Sequence, residues 1–282
     1  MNKLIGFAMS LLISASFALA SPCLAQPPPQ PEKQVQLIAA GSGVNLGITR
    51  LLAEAYTAHN PQTLIDVPGS IGTRGAIKAT AEGAISLGLI SRPLKDEEKA
   101  LGLVAQPYAR TAIVIGAHPN VKDDSLSSQE LIEIFKGIKT KWHDGNQIIV
   151  QAREKSDSGF LALENTLPGF KEAYAESHEA KRWTLYFNDQ EANQALATVP
   201  FAIGVTDLGM IATERLPIKV LQLNGISPNP KNILNGTYPL IRQLSFIYRT
   251  DSLAPEAKAF LDFVASQAGR EILQAQGYLP AQ

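Results

Sequence analysis

The sequence predicts an α/β protein of two lobes, each a mainly parallel sheet flanked by helices, with a cleft between them. Short apolar runs alternate with stretches of helical periodicity along nearly all of the 282 residues, which is too many βα units for one sheet. Clusters of Gly, Ser and Arg fall where those runs end, and the carboxyl ends of strands are where open α/β sheets bind ligands.

The chain has Lys3 near its start and then an apolar stretch from Leu4 to Ala20, whose far end carries Ala18-Leu19-Ala20, with Cys23-Leu24-Ala25 beyond it as the alternative cleavage signal. This pattern is an export signal over residues 1–25, placing the protein in the periplasm or otherwise outside the cytoplasm. A retained span needs about 20 predominantly apolar residues, and this one runs short into Pro22 and Pro27-Pro28-Pro29. Pro22 stands where a small residue should precede a lipidated Cys23, which argues against a lipid anchor. Cleavage after Ala25 removes the only cysteine, and a chain without thiols suits an oxidising compartment. Residues 26–34 read as a proline-rich tether.

Val35 to Ala40 is an apolar run fit for a buried strand, and beyond Gly41-Ser42-Gly43-Val44-Asn45-Leu46-Gly47 the residues Ile48, Leu51, Leu52, Ala55 and Tyr56 share one helix face. Leu64 to Val67 reads as a strand, Gly75 to Glu82 as a helix and Ser86 to Ile90 as a strand, completing βαβαβ and implying parallel pairing. Thr111 to Gly116 is the next strand. Ser127 with Glu130 forms a capping box for a helix through Leu131, Ile134 and Phe135. Ile148 to Val150 is a strand, and a helix follows Ser158 until Pro168-Gly169 stops it. A helix over Asp189 to Ala197, strands over Phe201 to Val205 and Leu244 to Tyr248, and a C-terminal helix from Pro255 complete the pattern.

Four strand-to-helix turns carry the chemistry. Arg153-Glu154-Lys155-Ser156-Asp157-Ser158-Gly159-Phe160 aims a guanidinium, hydroxyls and free helix N–H groups at one point, which suits an anion. Gly41 to Gly47 resembles a phosphate-cradling turn with Asn45 able to cap its helix; a capped helix start without ligand explains it equally. Gly69-Ser70-Ile71-Gly72-Thr73-Arg74-Gly75 places a hydroxyl and a guanidinium at a helix N-terminus, where Arg is unfavourable unless an anion intervenes or the side chain turns to solvent. Ser91-Arg92 ends the third strand, and Arg92 is free either to bind ligand or to pair with Asp96 or Glu97. Stripping water from an ion costs several kcal/mol, and each charge-assisted hydrogen bond returns about 1.5 to 3 kcal/mol, so many donors must converge.

Other classes fit poorly. With 25 basic and 26 acidic residues the chain lacks the charge of a nucleic-acid or membrane surface. His59, His118, His143 and His178 have no metal-ligand spacing, and neither a P-loop nor a G-x-S-x-G elbow occurs, so no metal, cofactor or catalytic residue is expected.

Gly41-Ser-Gly-Val-Asn-Leu46, Gly72-Thr-Arg-Gly-Ala-Ile-Lys-Ala79, Leu87-Gly-Leu-Ile-Ser-Arg-Pro-Leu94, Leu131-Ile-Glu-Ile-Phe-Lys-Gly137 with Trp142, Ala202-Ile-Gly204, Tyr238-Pro-Leu240 and the ending Gly269 to Gly277-Tyr-Leu-Pro280 follow one another along the chain in a family's order and spacing. With these the chain resembles the phosphate-binding proteins of ABC transporters, exported solute-binding proteins of the two-lobed type II fold. The resemblance implies an anion site of Asn45, Leu46, Thr73, Arg74, Ser91, Arg92, Arg153, Ser156, Ser158 and Gly159, and a monomer that hands inorganic phosphate to a membrane permease. It implies one lobe from residues 35–110 with 246–282 and another from 111–245. Some members carry an Asp at the position of Ser91 to accept the proton of hydrogen phosphate; this chain has none there. The turn after Arg153 is one residue longer than in the family, with Phe160 in place of a threonine, and Asp157 is a candidate for the missing acceptor. The alternatives are another oxyanion such as sulfate, molybdate or a phosphonate, an exported phosphate-ester enzyme, or a sensory protein that has lost strong binding.

Overall fold

The computed structural model describes residues 34–281. The export signal, the proline-rich tether and Cys23 expected from the sequence lie outside that range, apart from Gln34. The chain builds β1 (Val35–Gly41), α1 (Gly43–His59), β2 (Thr63–Asp66), α2 (Gly72–Ala81), β3 (Leu87–Ile90) and α3 (Asp96–Lys99), then the long β4 (Leu103–Ala117). It continues through β5 (Ser125–Leu126), α4 (Ser128–Lys136), β6 (Ile149–Arg153), α5 (Ser158–Thr166), α6 (Phe170–Glu179), β7 (Thr184–Tyr186), α7 (Asp189–Thr198), β8 (Ala202–Asp207), α8 (Leu208–Thr213), β9 (Lys219–Leu223) and α9 (Pro230–Leu234). It closes with β10 (Ile241–Arg249), α10 (Pro255–Ala265), α11 (Gln267–Ala275) and β11 (Leu279–Pro280).

Strand order β2-β1-β3-β10-β4-β8-β6-β7 makes the two lobes mirror each other in plan. Parallel β2, β1 and β3 meet β10 antiparallel on one side, and parallel β7, β6 and β8 meet β4 antiparallel on the other. β10 pairs along its whole length with Leu103–Ala112 of β4, whose remaining residues pair with β8 and β9, and the two strands carry the chain between lobes. Their register shifts between Leu244 and Ser245, opposite Ala109 and Pro107. Proline has no ladder donor and is tolerated inside a sheet at such a bulge, which also bends the strand.

Two apolar cores follow this division. One gathers Leu37, Leu52, Leu89, Phe246, Phe260 and Tyr278; the other gathers Ile115, Phe135, Phe160, Phe170, Tyr174 and Leu221. Phe160 is fully buried in the second, its ring stacked on Tyr174 at 4.4 Å and 17° and edge-on to Phe135. The unusual residue of the anion turn therefore anchors that turn to a core.

Helix starts obey local chemistry. The capping box of α4 is present, with Ser127 Oγ accepting from Glu130 N at 3.1 Å and the Glu130 carboxylate accepting from Ser127 N at 2.9 Å. The expected C-terminal helix is two helices, because Ser266 leaves the helical conformation and caps α11 through Gly269 N. Helices α6, α8 and α9 and strands β5, β7, β9 and β11 were not anticipated, β4 starts at Leu103 and not at the expected Thr111, and α6 begins directly after the Pro168-Gly169 stop. Among the described residues no helix is long and apolar enough to cross a membrane.

Candidate anion-binding site

The carboxyl ends of β1, β3 and β6 and the starts of α1, α2, α5 and α7 surround one cavity of about 530 Å³ lined by both lobes. β1 can end there because Gly41 lets two backbones touch: a Cβ on it would lie 2.1 Å from the Leu89 carbonyl oxygen. That contact sets Ser42 beside Ser91. Ser42 Oγ and Ser91 Oγ are 2.9 Å apart, Ser91 Oγ and Ser158 Oγ 2.9 Å, and Thr73 Oγ1 and Ser91 Oγ 3.4 Å. Hydroxyls from four separate turns thus form one continuous group bridging the lobes.

Arg153 stands at the end of β6 and is 94% removed from solvent, at 6% exposure. Tyr174 holds its backbone, the hydroxyl accepting from Arg153 N at 3.2 Å and donating to Arg153 O. The guanidinium meets Asp157 Oδ2 at 3.1 Å, Asp189 Oδ1 is 3.6 Å away, and Arg153 Nε and Nη1 have no hydrogen-bond partner among the described residues. Arg153 lines the cavity, and a buried guanidinium with unused donors favours an acceptor brought next to it. Behind it Arg242 Nη1 faces Asp207 Oδ2 at 3.2 Å. Burial pushes the Asp207 carboxyl from 3.8 up to about 7 despite that cation, and burial likewise raises Asp189.

Of the residues expected at the site, Thr73, Arg74, Arg92, Arg153, Ser156 and Ser158 line the cavity, and Ser91 joins it through its hydroxyl contacts. Arg74 is largely exposed and reaches across the cleft, Nη2 donating to Ser156 Oγ with Glu154 at 3.7 Å. Arg92 is committed elsewhere. Its guanidinium donates to both oxygens of Glu98 at 2.7 and 2.6 Å, rather than to Asp96 or Glu97, and that bond holds the Glu98 carboxyl below its usual range.

Of the remaining residues, the Asn45 side chain and the Gly159 N–H have partners within the protein, and the Leu46 side chain is in a core. Asn45 is fully buried and does not cap α1; its Oδ1 accepts from Tyr108 OH at 2.7 Å. Leu46 lies in the core of the first lobe. The Gly159 N–H is taken by Asp157 Oδ1 at 2.9 Å, which also accepts from Phe160 N at 3.1 Å. Asp157 is the N-cap of α5, and the added residue in the turn has brought an internal carboxylate to a helix start that was expected to serve the ligand.

Sequence reasoning passed over Ser42, Ser70, Lys95, Asn188 and Asp189, all on the cavity wall. Ser42 stood within a loop already singled out. Asp189 gave no signal, because an acid is not an obvious neighbour for an anion.

The comparisons with known proteins agree with this architecture. The phosphate-binding protein PstS of Bacillus subtilis (strain 168) is 25% identical over 254 residues, covering 86% of this chain and 80% of that protein. A Clostridium perfringens structure with bound phosphate superposes with a TM-score of 0.74 at 23% identity over 88% of this chain and 100% of that one. An ABC-type phosphate transport receptor from Vibrio cholerae gives a TM-score of 0.62 at 20% identity over 86% and 99%. The two-lobed arrangement is the type II periplasmic binding protein fold. Residues 27–268 match the model of the PBP superfamily domain, and the chain belongs to that family.

Proposed function

We propose that this protein captures inorganic phosphate in the cleft between its lobes and delivers it to the membrane permease of an ABC transporter, working outside the cytoplasm and without chemical turnover. The observation that carries the reading is the meeting of Ser42, Thr73, Ser91 and Ser158 from four turns beside the unsatisfied donors of Arg153. That set offers a small tetrahedral anion hydroxyls from both lobes and one buried positive charge. The names of relatives such as the Bacillus subtilis protein support phosphate as the anion. We place the ligand against Thr73, Ser91, Arg153 and Ser158, and the lobe boundaries at residues 110/111 and 245/246, where β4 and β10 pass between the cores.

Calorimetric titration of the purified protein with inorganic phosphate tests the reading. We expect saturable binding at one site per chain and no release of product from phosphate esters. Absence of phosphate binding, or turnover of an ester, overturns it.

A further inference from the structure

The wall of the cavity changes character with depth. Ser42, Ser91 and Arg153, at its inner end, are buried, and they are groups to which the phosphate reading gives the anion. Toward solvent the same wall carries Ile71 of the first lobe, the residue before α2, and Phe187 of the second, between β7 and α7, together with the half-buried Leu161 of α5. Ile71 is 47% exposed and Phe187, at 73%, is the most exposed large apolar side chain among the described residues. Phe187 packs into neither large core. Apolar groups from both lobes thus stand at the opening of a polar chamber, which suits a ligand with a polar head and an apolar body.

The chamber is also larger than a small inorganic anion needs. The lobes already touch: Ser91 Oγ and Ser158 Oγ are 2.9 Å apart, and Asp189 Oδ2 lies 2.4 Å from where a Cβ on Gly43 would sit. Even so, about 530 Å³ stays open between them. The five heavy atoms of phosphate fill at most about 150 Å³, allowing each roughly the 30 Å³ share of a water molecule, whereas sites for organic ligands run from about 300 to 1,000 Å³. Cations near the opening already have partners, Arg74 in Ser156 and Glu154, Arg92 in Glu98, and Lys95 in Glu97 at 3.7 Å. What the opening adds to the inner anion site is therefore apolar contact.

We infer that the cavity also binds phosphate monoesters with an apolar substituent, taking the phosphoryl group at Arg153 and the hydroxyls and the substituent against Ile71 and Phe187. A monoester presents the same doubly charged phosphoryl end as inorganic phosphate at pH 8, so the inner groups serve both. Its carbon body removes apolar surface of Ile71 and Phe187 from water, which inorganic phosphate cannot do. The inference rests on the phosphate reading for the inner end of the cavity and extends it at the opening.

Calorimetric titration at pH 8 with inorganic phosphate, methyl phosphate and phenyl phosphate tests it, on the wild type and on Phe187→Ala. Methyl phosphate carries the ester oxygen with almost no apolar body, so the ratio of the two ester affinities isolates the opening of the cavity. We expect the wild type to bind phenyl phosphate at least about tenfold more tightly than methyl phosphate, and Phe187→Ala to shrink that ratio at least about threefold. Phosphate binding with no binding of phenyl phosphate, a wild-type ratio near one, or an unchanged ratio in the folded variant overturns the inference and leaves the phosphate reading standing. Binding of phenyl phosphate at the expected ratio without binding of inorganic phosphate supports the inference and overturns inorganic phosphate as the ligand. Wild type that binds none of the three overturns both.

Discussion

Arg153 is the only buried guanidinium on the cavity wall with donors unused among the described residues, so its removal should affect binding more than any other single change. Arg153→Ala is expected to weaken phosphate binding at least about 100-fold, in line with the 2–5 kcal/mol typical for truncating one side of a buried charged contact; calorimetric titration reads the loss. Asp207 makes a second statement at this scale. Its carboxyl is raised from 3.8 to about 7 by burial, so the folded form holds the proton more tightly than the unfolded chain. The stability this confers is present at low pH and drains away as pH climbs from about 4 to about 7. Urea unfolding of Asp207→Asn beside wild type should show the variant gaining relative stability through that window and no further change above it. Arg74, by contrast, faces solvent and pairs with Ser156 and Glu154, as arginine at a cleft mouth does without contributing a buried charge.

Element ends decide where these side chains point, and they divide what the sequence makes legible from what it hides. Ser127→Ala removes the Oγ acceptor of the α4 capping box and should cost about 1 kcal/mol, measured by chemical denaturation. That box was readable because both partners lie three residues apart and the geometry is local. The run of βα units was readable for the same reason: apolar period and turn residues announce β1, β2 and β3 to within one residue, while α1 and α2 begin earlier than their apolar faces, inside the glycine-rich turns. Thr73, Arg74, Arg153, Ser156 and Ser158 were legible as cavity residues because they terminate strands or start helices there. The direction of a side chain within a turn was not. Asn45 turns inward to Tyr108, a partner in another element that spacing along the chain does not reveal, whereas Asp157 caps α5 through N–H groups two and three residues on, a local signal that competed with the ligand role expected of the same turn. Asp189 and its approach to Gly43 join residues far apart in sequence and in different lobes. Short strands such as β5 and β9 have too few residues to show a period.

At the scale of the whole molecule, closure depends on how near the lobes can come. Gly43 has no side chain where the Asp189 carboxylate and the Gln190 amide press from the other lobe; a Cβ there would be 2.4 Å from one and 2.9 Å from the other. Gln190 Nε2 also donates to Gly43 O at 3.3 Å. Gly43→Ala should hold the lobes apart, giving a larger radius of gyration by small-angle scattering and phosphate affinity at least about tenfold weaker. The register shift at Leu244/Ser245 against Ala109/Pro107 lies on the strand pair that links the two cores within one continuous sheet.

The position of β10 between β3 and β4 carries a consequence for assembly. A chain emerging from its N-terminus produces the whole second core, which ends at Leu240, before the residues of β10 exist. Until Arg249 has emerged, β3 lacks its antiparallel neighbour and presents a bare hydrogen-bonding edge, and α10 and α11 are still to come. The later half of the sequence can therefore reach its native packing first, while the earlier half waits for the tail to return and complete it.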